Sequence, residues 1–186
     1  EEGLPLMPFS KLTPVDDVIE FLTSSAVCCV GTERVPVDQA LGRVLAQQVI
    51  SGINVPIDDN SAMDGYAINV ADLKDGDLVD VSDRIPAGST GQVLATGTAA
   101  RIFTGAPVPE AANAVIIQEN TEKVGEQVRL LTIPKSGENI RRAGQDITMG
   151  AAILQQGRRL LAQDLGLIAS VGFAEVEVYQ KLTWTN

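Results

Sequence analysis

The sequence predicts a β-rich α+β fold: an N-terminal helix, then a small mixed α/β central region with a compact β lobe inserted into it. Three observations lead there. An amphipathic run opens the chain, short apolar runs broken by Gly, Pro, Asp and Asn fill the middle, and segments of similar strand and helix character bracket that middle. The boundaries that follow are residues 1–32 for the helical segment, 33–50 together with 151–181 for a discontinuous central domain, and 51–150 for the inserted lobe.

Each element has its own signal. Thr13, Pro14 and Asp16 read as an N-cap, a first helical residue and a capping acid. Val15, Val18, Ile19, Leu22 and Ala26 then repeat at helical spacing, and Gly31 ends the run. That apolar face requires a partner. Residues 33–37 read as a strand, Asp38 caps a short helical turn, and residues 43–50 are extended and rich in β-branched side chains. In the lobe the expected strands are 78–81, 92–95, 100–103, 114–118 and 127–133, with a hairpin turn at Gly125-Glu126. Segments 151–154 and 158–160 flank a second hairpin signal at Gln155-Gln156-Gly157. A helix from Ala162 turns Leu165, Ile168 and Ala169 inward and stops at Gly172. Residues 173–179 alternate as a half-exposed strand does, and residues 181–186 read as the start of another. The chain opens on Glu1, so we read it as part of a longer protein.

Composition narrows the function classes. With 24 acidic and 14 basic residues the net charge is −10, and the basic residues are scattered apart from two Arg pairs. No clustered basic face is available for nucleic acid or an anionic membrane surface. The chain has no histidine, which removes Ser-His-Asp and Cys-His catalysis and imidazole general bases. Its two cysteines, Cys28 and Cys29, are adjacent and form neither a disulfide framework nor a CxxC motif. No apolar run approaches the roughly 20 residues of a membrane span. The expected setting is cytoplasmic.

Chemistry must therefore come from carboxylates, hydroxyls, backbone amides and arginines. Residues 55–67 hold Asp58, Asp59, Asn60, Ser61 and Asp64 in what reads as a loop ending in an Asp-Gly turn, a set of oxygens suited to a hard cation. In residues 101–110 a strand runs into Thr104-Gly105, where a substrate oxyanion can approach backbone amides beside a hydroxyl donor. In residues 137–147 Arg141 and Arg142 stand near Asp146, a pattern able to hold an anion next to a carboxylate. Residues 118–120, Gln-Glu-Asn, make a fourth polar cluster. Taken singly, the first two stretches read more readily as turn chemistry, and the third equally well as a surface ion pair.

Together they resemble something specific. The runs Asp-Asn-Ser-Ala-Met-Asp-Gly-Tyr-Ala (59–67), Thr-Gly-Ala-Pro-Val-Pro (104–109), Asn-Ile-Arg-Arg-Ala-Gly-Gln-Asp-Ile (139–147) and Ile-Ala-Ser-Val-Gly (168–172) are similar, in that order, to molybdenum insertases of the MoeA/gephyrin type. The resemblance covers nearly the whole chain, up to Tyr179.

The resemblance implies an elongated homodimer. Its β lobe faces the pterin-binding α/β domain of the other subunit across an active cleft, and that domain and a C-terminal domain are missing from this sequence. The first helix is expected to pack on the missing α/β domain. The implied reaction takes molybdate and adenylylated molybdopterin, inserts the metal into the dithiolene and releases AMP, with Mg²⁺ assisting. The family's functional carboxylates and hydroxyl fall on Asp64, Thr104 and Asp146. Asp64 and Asp146 are expected to position the hydrated cation or a nucleotide phosphate, and Thr104 to hydrogen-bond the substrate. Ser61, Gly105, Arg141 and Arg142 are the expected substrate-binding residues. Implied partners are a second copy of the chain, a molybdopterin adenylyltransferase and proteins that mature molybdoenzymes. The isolated fragment is expected to be inactive. Two other readings stay open, a non-catalytic dimerisation or scaffold module and a carboxylate-metal phosphohydrolase.

Overall fold

The computed structural model describes residues 13–182. The two ends of that stretch pair with each other. Strand β1 (Thr32–Pro36) runs antiparallel to β12 (Glu175–Tyr179), with Thr32 opposite Tyr179 and Pro36 opposite Glu175. β2 (Val49–Ile50) pairs antiparallel with β11 (Ala152–Leu154), and single bridges join Val44 to Arg159 and Leu45 to Val178. Val176 and Val178 point inward while their neighbours stay at the surface, the alternation expected of a half-buried strand. Val35, Leu45, Leu154, Leu160 and Ile168 close one apolar cluster around them.

Helix α2 (Ala162–Ser170) is fixed to this cluster by an ion pair at its start. Asp164 is buried, accepts from the Leu161 amide at 2.9 Å and receives Arg158 Nη2 at 2.8 Å. The Arg158 guanidinium, then the Leu161 amide, hold the Asp164 carboxyl below its ordinary pKa against the opposing effect of burial. A depressed carboxylate contributes stability above its unfolded pKa and loses it as pH falls through the folded value. Asp164→Asn is therefore expected to lower stability by about 1–2 kcal/mol at neutral pH and to shrink that gap in acid. Urea unfolding at pH 7 and near pH 3 checks both parts.

Residues 65–130 build a six-stranded sheet in the order β7-β4-β6-β5-β9-β8. The strands are β4 (Gly65–Ile68), β5 (Leu78–Ile85), β6 (Ala99–Ile102), β7 (Ala114–Ile117), β8 (Thr121–Val124) and β9 (Gln127–Leu130). Only β5 and β6 are parallel. Tyr66, Ile68, Ile116, Val128 and Leu130 make one apolar cluster; Ala67, Ile85, Ala100, Ile102 and Val115 make another. Beside the sheet the short strands β3 (Asn60–Ser61) and β10 (Ile140–Arg141) pair with each other.

The structure corrects several expectations. Pro14 is extended (ψ 143°), so helix α1 is Val15–Ser25, with no side-chain cap from Thr13 and an end at Ala26 rather than Gly31. None of its residues is buried, and Val15, Ile19 and Leu22 are 72%, 53% and 60% exposed. Residues 92–95 form no strand: the Leu94 amide donates to Glu110 O and Leu94 is buried, but no ladder continues from it. The turn at residues 155–157 is real, yet its flanks pair with β2 and Val44 and not with each other. Ala169 lies on the exposed side of α2. Of the strand expected at 181–186, residues 183–186 lie outside the described residues.

Candidate functional site

The Asp-Gly dipeptide at 64–65 does not close a loop: Gly65 opens β4, the strand flanked by β6 and β7, and all of β4 is buried. Sterics dictate the glycine. A Cβ at position 65 would stand 1.9 Å from the backbone oxygen of Ile116 on β7. Residues 59–64 lead into this strand, and two other polar stretches hold them.

Residues 104–108 hold one side. Gly105 N donates to Ser61 O at 2.8 Å, Ser61 N to Ala106 O at 2.9 Å and Val108 N to Asp59 O at 2.9 Å. Residues 139–143 hold the other. Ile140 pairs with Ser61, Arg141 pairs with Asn60, and Ala62 N donates to Asn139 O at 2.9 Å. The fourth cluster joins as well, since Gln118 N donates to Asp64 O at 3.0 Å. Stretches distant in sequence thus converge on one segment. The run at 168–172 belongs instead to α2 and the turn after it, where Ile168 and Val171 are buried.

Asp64 is exposed at the centre of this arrangement. Its Oδ1 accepts both the Thr104 amide, at 2.8 Å, and the Thr104 hydroxyl, at 2.7 Å. These two donors, with a smaller contribution from Arg101, hold the Asp64 carboxyl below the ordinary range. The next residue, Gly105, adopts a φ of 81°, a left-handed conformation that a residue without a Cβ takes at low cost. Thr104→Val keeps the amide and removes the hydroxyl, so the Asp64 pKa is expected to rise toward its ordinary value while the amide bond retains part of the shift. Carboxyl-selective NMR titration reads this directly, and no upward movement would contradict it.

The arginines are spoken for by carboxylates. Arg141 Nη2 donates to Asp146 Oδ2 at 2.5 Å, and Arg142 Nη1 donates to Asp59. Asp59 also accepts the Ala143 amide at 2.8 Å; that amide first, then the Arg142 guanidinium, lowers its pKa. Asp146 is tied to the front of the segment by its own amide, which donates to Val55 O at 2.9 Å. Ser61 is fully buried; its hydroxyl donates to Met63 O at 2.5 Å and accepts from Met63 N at 3.3 Å. Its side chain braces the segment and offers no open hydroxyl to a ligand, contrary to the expectation of direct substrate contact. Asn60 Oδ1 is enclosed and has no hydrogen-bond donor among the described residues.

Two contributors escaped sequence reasoning. Arg101 Nη1 donates to Gly65 O at 3.0 Å and Nη2 to Gln118 Oε1 at 2.8 Å, which places its charge beside Asp64. Asp59, noted only as one of several loop oxygens, is the anchor of Arg142. Pairing register would have exposed Arg101, because it stands opposite Tyr66, one residue beyond Gly65. Sequence spacing alone does not contain that register.

Comparison with known proteins identifies the family. The family described as "MoeA N-terminal region (domain I and II)" matches residues 13–172. The molybdopterin molybdenumtransferase of Haemophilus influenzae is 41% identical over 153 residues, covering 81% of this chain and 38% of that protein. The protein of the same name from Nostoc is 34% identical over 186 residues, covering 95% of this chain and 43% of its own length. A crystal structure of the molybdopterin biosynthesis MoeA protein from Pyrococcus horikoshii superposes with a TM-score of 0.83 at 32% identity, over 90% of this chain and 46% of that one. The chain thus spans less than half the length of these relatives. It belongs to the MoeA family and corresponds to that family's N-terminal region.

Proposed function

We propose that the full-length protein completes molybdenum cofactor synthesis by inserting molybdenum from molybdate into adenylylated molybdopterin, with release of AMP. This chain supplies one wall of a cleft shared between the subunits of a homodimer. The observation that carries the reading is the exposed Asp64 carboxylate, kept ionised by two Thr104 donors on a segment that Arg141 and Arg142 brace from the other side. A fixed negative group with a hydroxyl beside it suits positioning of a phosphate-bound cation and of substrate oxygens.

Asp64 and Asp146 are the residues that would hold Mg²⁺, each by one oxygen and with substrate and water completing the shell, since the described residues hold no cluster of three or more Asp, Glu or Cys side chains able to bind a metal ion. In the hydrogen bonds above Asp64 uses only Oδ1 and Asp146 only Oδ2, so each has a second oxygen uncommitted among the described residues. One or two carboxylates together with substrate phosphates is the donor set this ion takes, most of its remaining positions being filled by water. Held there, the ion would supply positive charge against the phosphate that leaves as AMP. The chain's own part is to hold Asp64 ionised, to present the Thr104 hydroxyl and Gly105 amide to substrate, and to fix Asp146 through Arg141. Ser61 and Arg142 act by positioning the segment.

Residues 33–50 with 151–181 form the central domain that dimerises, residues 51–150 form the projecting lobe, and α1 covers part of the α/β domain. The setting is cytoplasmic, with an adenylyltransferase upstream and molybdoenzyme maturation downstream. AMP release by the purified full-length protein, given adenylylated molybdopterin, molybdate and Mg²⁺, tests the proposal. Asp64→Ala is expected to slow release by about a hundredfold, the scale on which removal of one preorganised electrostatic group acts. An unchanged rate would remove Asp64 from the reaction.

A further inference from the structure

Asp59 meets both of the polar stretches that hold the Asp64 segment, and it meets one of them with its side chain. Its carbonyl accepts the Val108 amide at 2.9 Å. Its carboxylate reaches the other way, Oδ1 accepting the Ala143 amide at 2.8 Å and Oδ2 the Arg142 guanidinium. Ser61 also touches both stretches, but through its backbone, since its hydroxyl returns to Met63. Among the described residues no other side chain from positions 55–64 hydrogen-bonds residues 139–147.

What the carboxylate holds is a turn. Gln145 N donates to Arg142 O at 3.0 Å, and Arg142 N donates to Gln145 Oε1 at 3.0 Å. Asp146 follows directly and is held by Arg141. Backbone bonds fix the far end of the turn, Gly144 N donating to Pro56 O and Asp146 N to Val55 O, each at 2.9 Å. Before the turn, the β3–β10 ladder stops at Arg141 opposite Asn60. Backbone pairing therefore holds this stretch up to Arg141 and again from Gly144, and the Asp59 carboxylate closes the gap at Arg142 and Ala143. The side chains of Asp59 and Arg142 are 38% and 56% exposed. An ion pair so exposed contributes under about 1 kcal/mol to folding, so position, more than stability, is what it can supply.

We propose that Asp59 is a positioning residue: its carboxylate locks the 142–145 turn onto the Asp64 segment and so fixes the separation of Asp64 and Asp146, the two carboxylates assigned to Mg²⁺. Each oxygen of Asp59 already accepts a donor, whereas Asp64 and Asp146 each keep one oxygen uncommitted among the described residues. The clamp thus acts through other residues and touches neither substrate nor cation. Mg²⁺ demands short bonds in a near-ideal octahedron, so a shift of one carboxylate against the other is felt in its affinity. The consequence for the reaction rests on the proposed function; the hold of Asp59 on the turn does not.

Two measurements on the full-length protein test the inference: amide hydrogen exchange, read by mass spectrometry on peptides that cover residues 139–147, and the Mg²⁺ dependence of AMP release. Asp59→Asn keeps an oxygen for the Ala143 amide but sets an amide NH₂ against the Arg142 guanidinium. Exchange in these peptides is expected to quicken about tenfold, the effect of losing one charge-assisted hydrogen bond. The Mg²⁺ concentration for half-maximal AMP release is expected to rise by a similar factor, while the melting temperature stays within about 3 °C of wild type. Unchanged exchange would show that the turn needs no clamp, and faster exchange with an unaltered Mg²⁺ requirement would show that the clamp does not reach the site; either result overturns the assignment. Should Asp59→Asn not fold, Arg142→Ala opens the same clamp from its more exposed side and is read in the same way. AMP release unaffected by Asp64→Ala would sink the proposed function, and the exchange measurement, which uses no substrate, would still decide whether Asp59 holds the turn.

Discussion

Gly65→Ala is expected to be the most damaging single substitution to the fold. The added methyl would sit 1.9 Å from Ile116 O and 2.9 Å from Ile116 C, atoms of backbone that cannot rotate away. Relief requires β4 and β7 to separate, yet they pair over four residues from Gly65–Ile117 to Ile68–Ala114. Both strands are largely buried between the two apolar clusters of the sheet. A loss of roughly 4 kcal/mol or more follows, in the range reserved for core overpacking and broken networks. For a chain of this length that lowers the melting temperature by roughly 10 °C. Thermal unfolding followed by circular dichroism decides the matter, and a melting temperature within about 2 °C of wild type would show that the strands absorb the methyl without parting.

Asp64→Asn in the full-length protein is the second large effect, and it separates charge from scaffold. An asparagine oxygen still accepts from the Thr104 amide and hydroxyl, so the segment keeps its two donors. What disappears is the negative charge that those donors and Arg101 favour. If the charge is what acts, activity falls about as far as in Asp64→Ala, while folding, measured by the melting temperature, is nearly unchanged because Asp64 is exposed. Asp64→Asn retaining most of the activity would assign Asp64 a merely structural role.

Gly65 also explains why part of the site was hidden in the sequence. Locally, Asp64-Gly65 has the chemistry of a turn, and a run with three aspartates, an asparagine and a serine reads as a loop. The real reason for the glycine is a neighbour 51 residues away, Ile116; no short-range pattern contains it. For the same reason β4 was missed, although it is flanked by two strands of the sheet. The expectation of a strand at 92–95 fails in the opposite way: Leu94 is apolar and buried, as a strand residue would be, but it docks on Glu110 O as part of a loop.

Patterns that depend on neighbours in sequence were legible. The alternation at 173–179 became β12, the Gly125-Glu126 turn joins β8 to β9, and the similar textures before residue 51 and after residue 150 became partners in β1–β12 and β2–β11. The segments that carry Asp64, Thr104 and Asp146, singled out in the sequence, lie against one another in the structure. The sequence could not tell that Thr104 holds Asp64 while Arg141 holds Asp146, because pairing is a property of register. Ser61 shows the limit most plainly. A serine inside a polar motif looks like a ligand until the packing encloses it completely.

If the Asp64 charge, presented by Thr104, takes part in the proposed molybdenum insertion, its loss must be visible in cells. Complementation addresses it most directly: the full-length protein, wild type or Asp64→Asn, is expressed at equal levels in cells lacking the insertase, and nitrate reductase activity is assayed. Restored activity with wild type and none with Asp64→Asn is the expected result, both proteins being folded. Equal restoration by the two would contradict it.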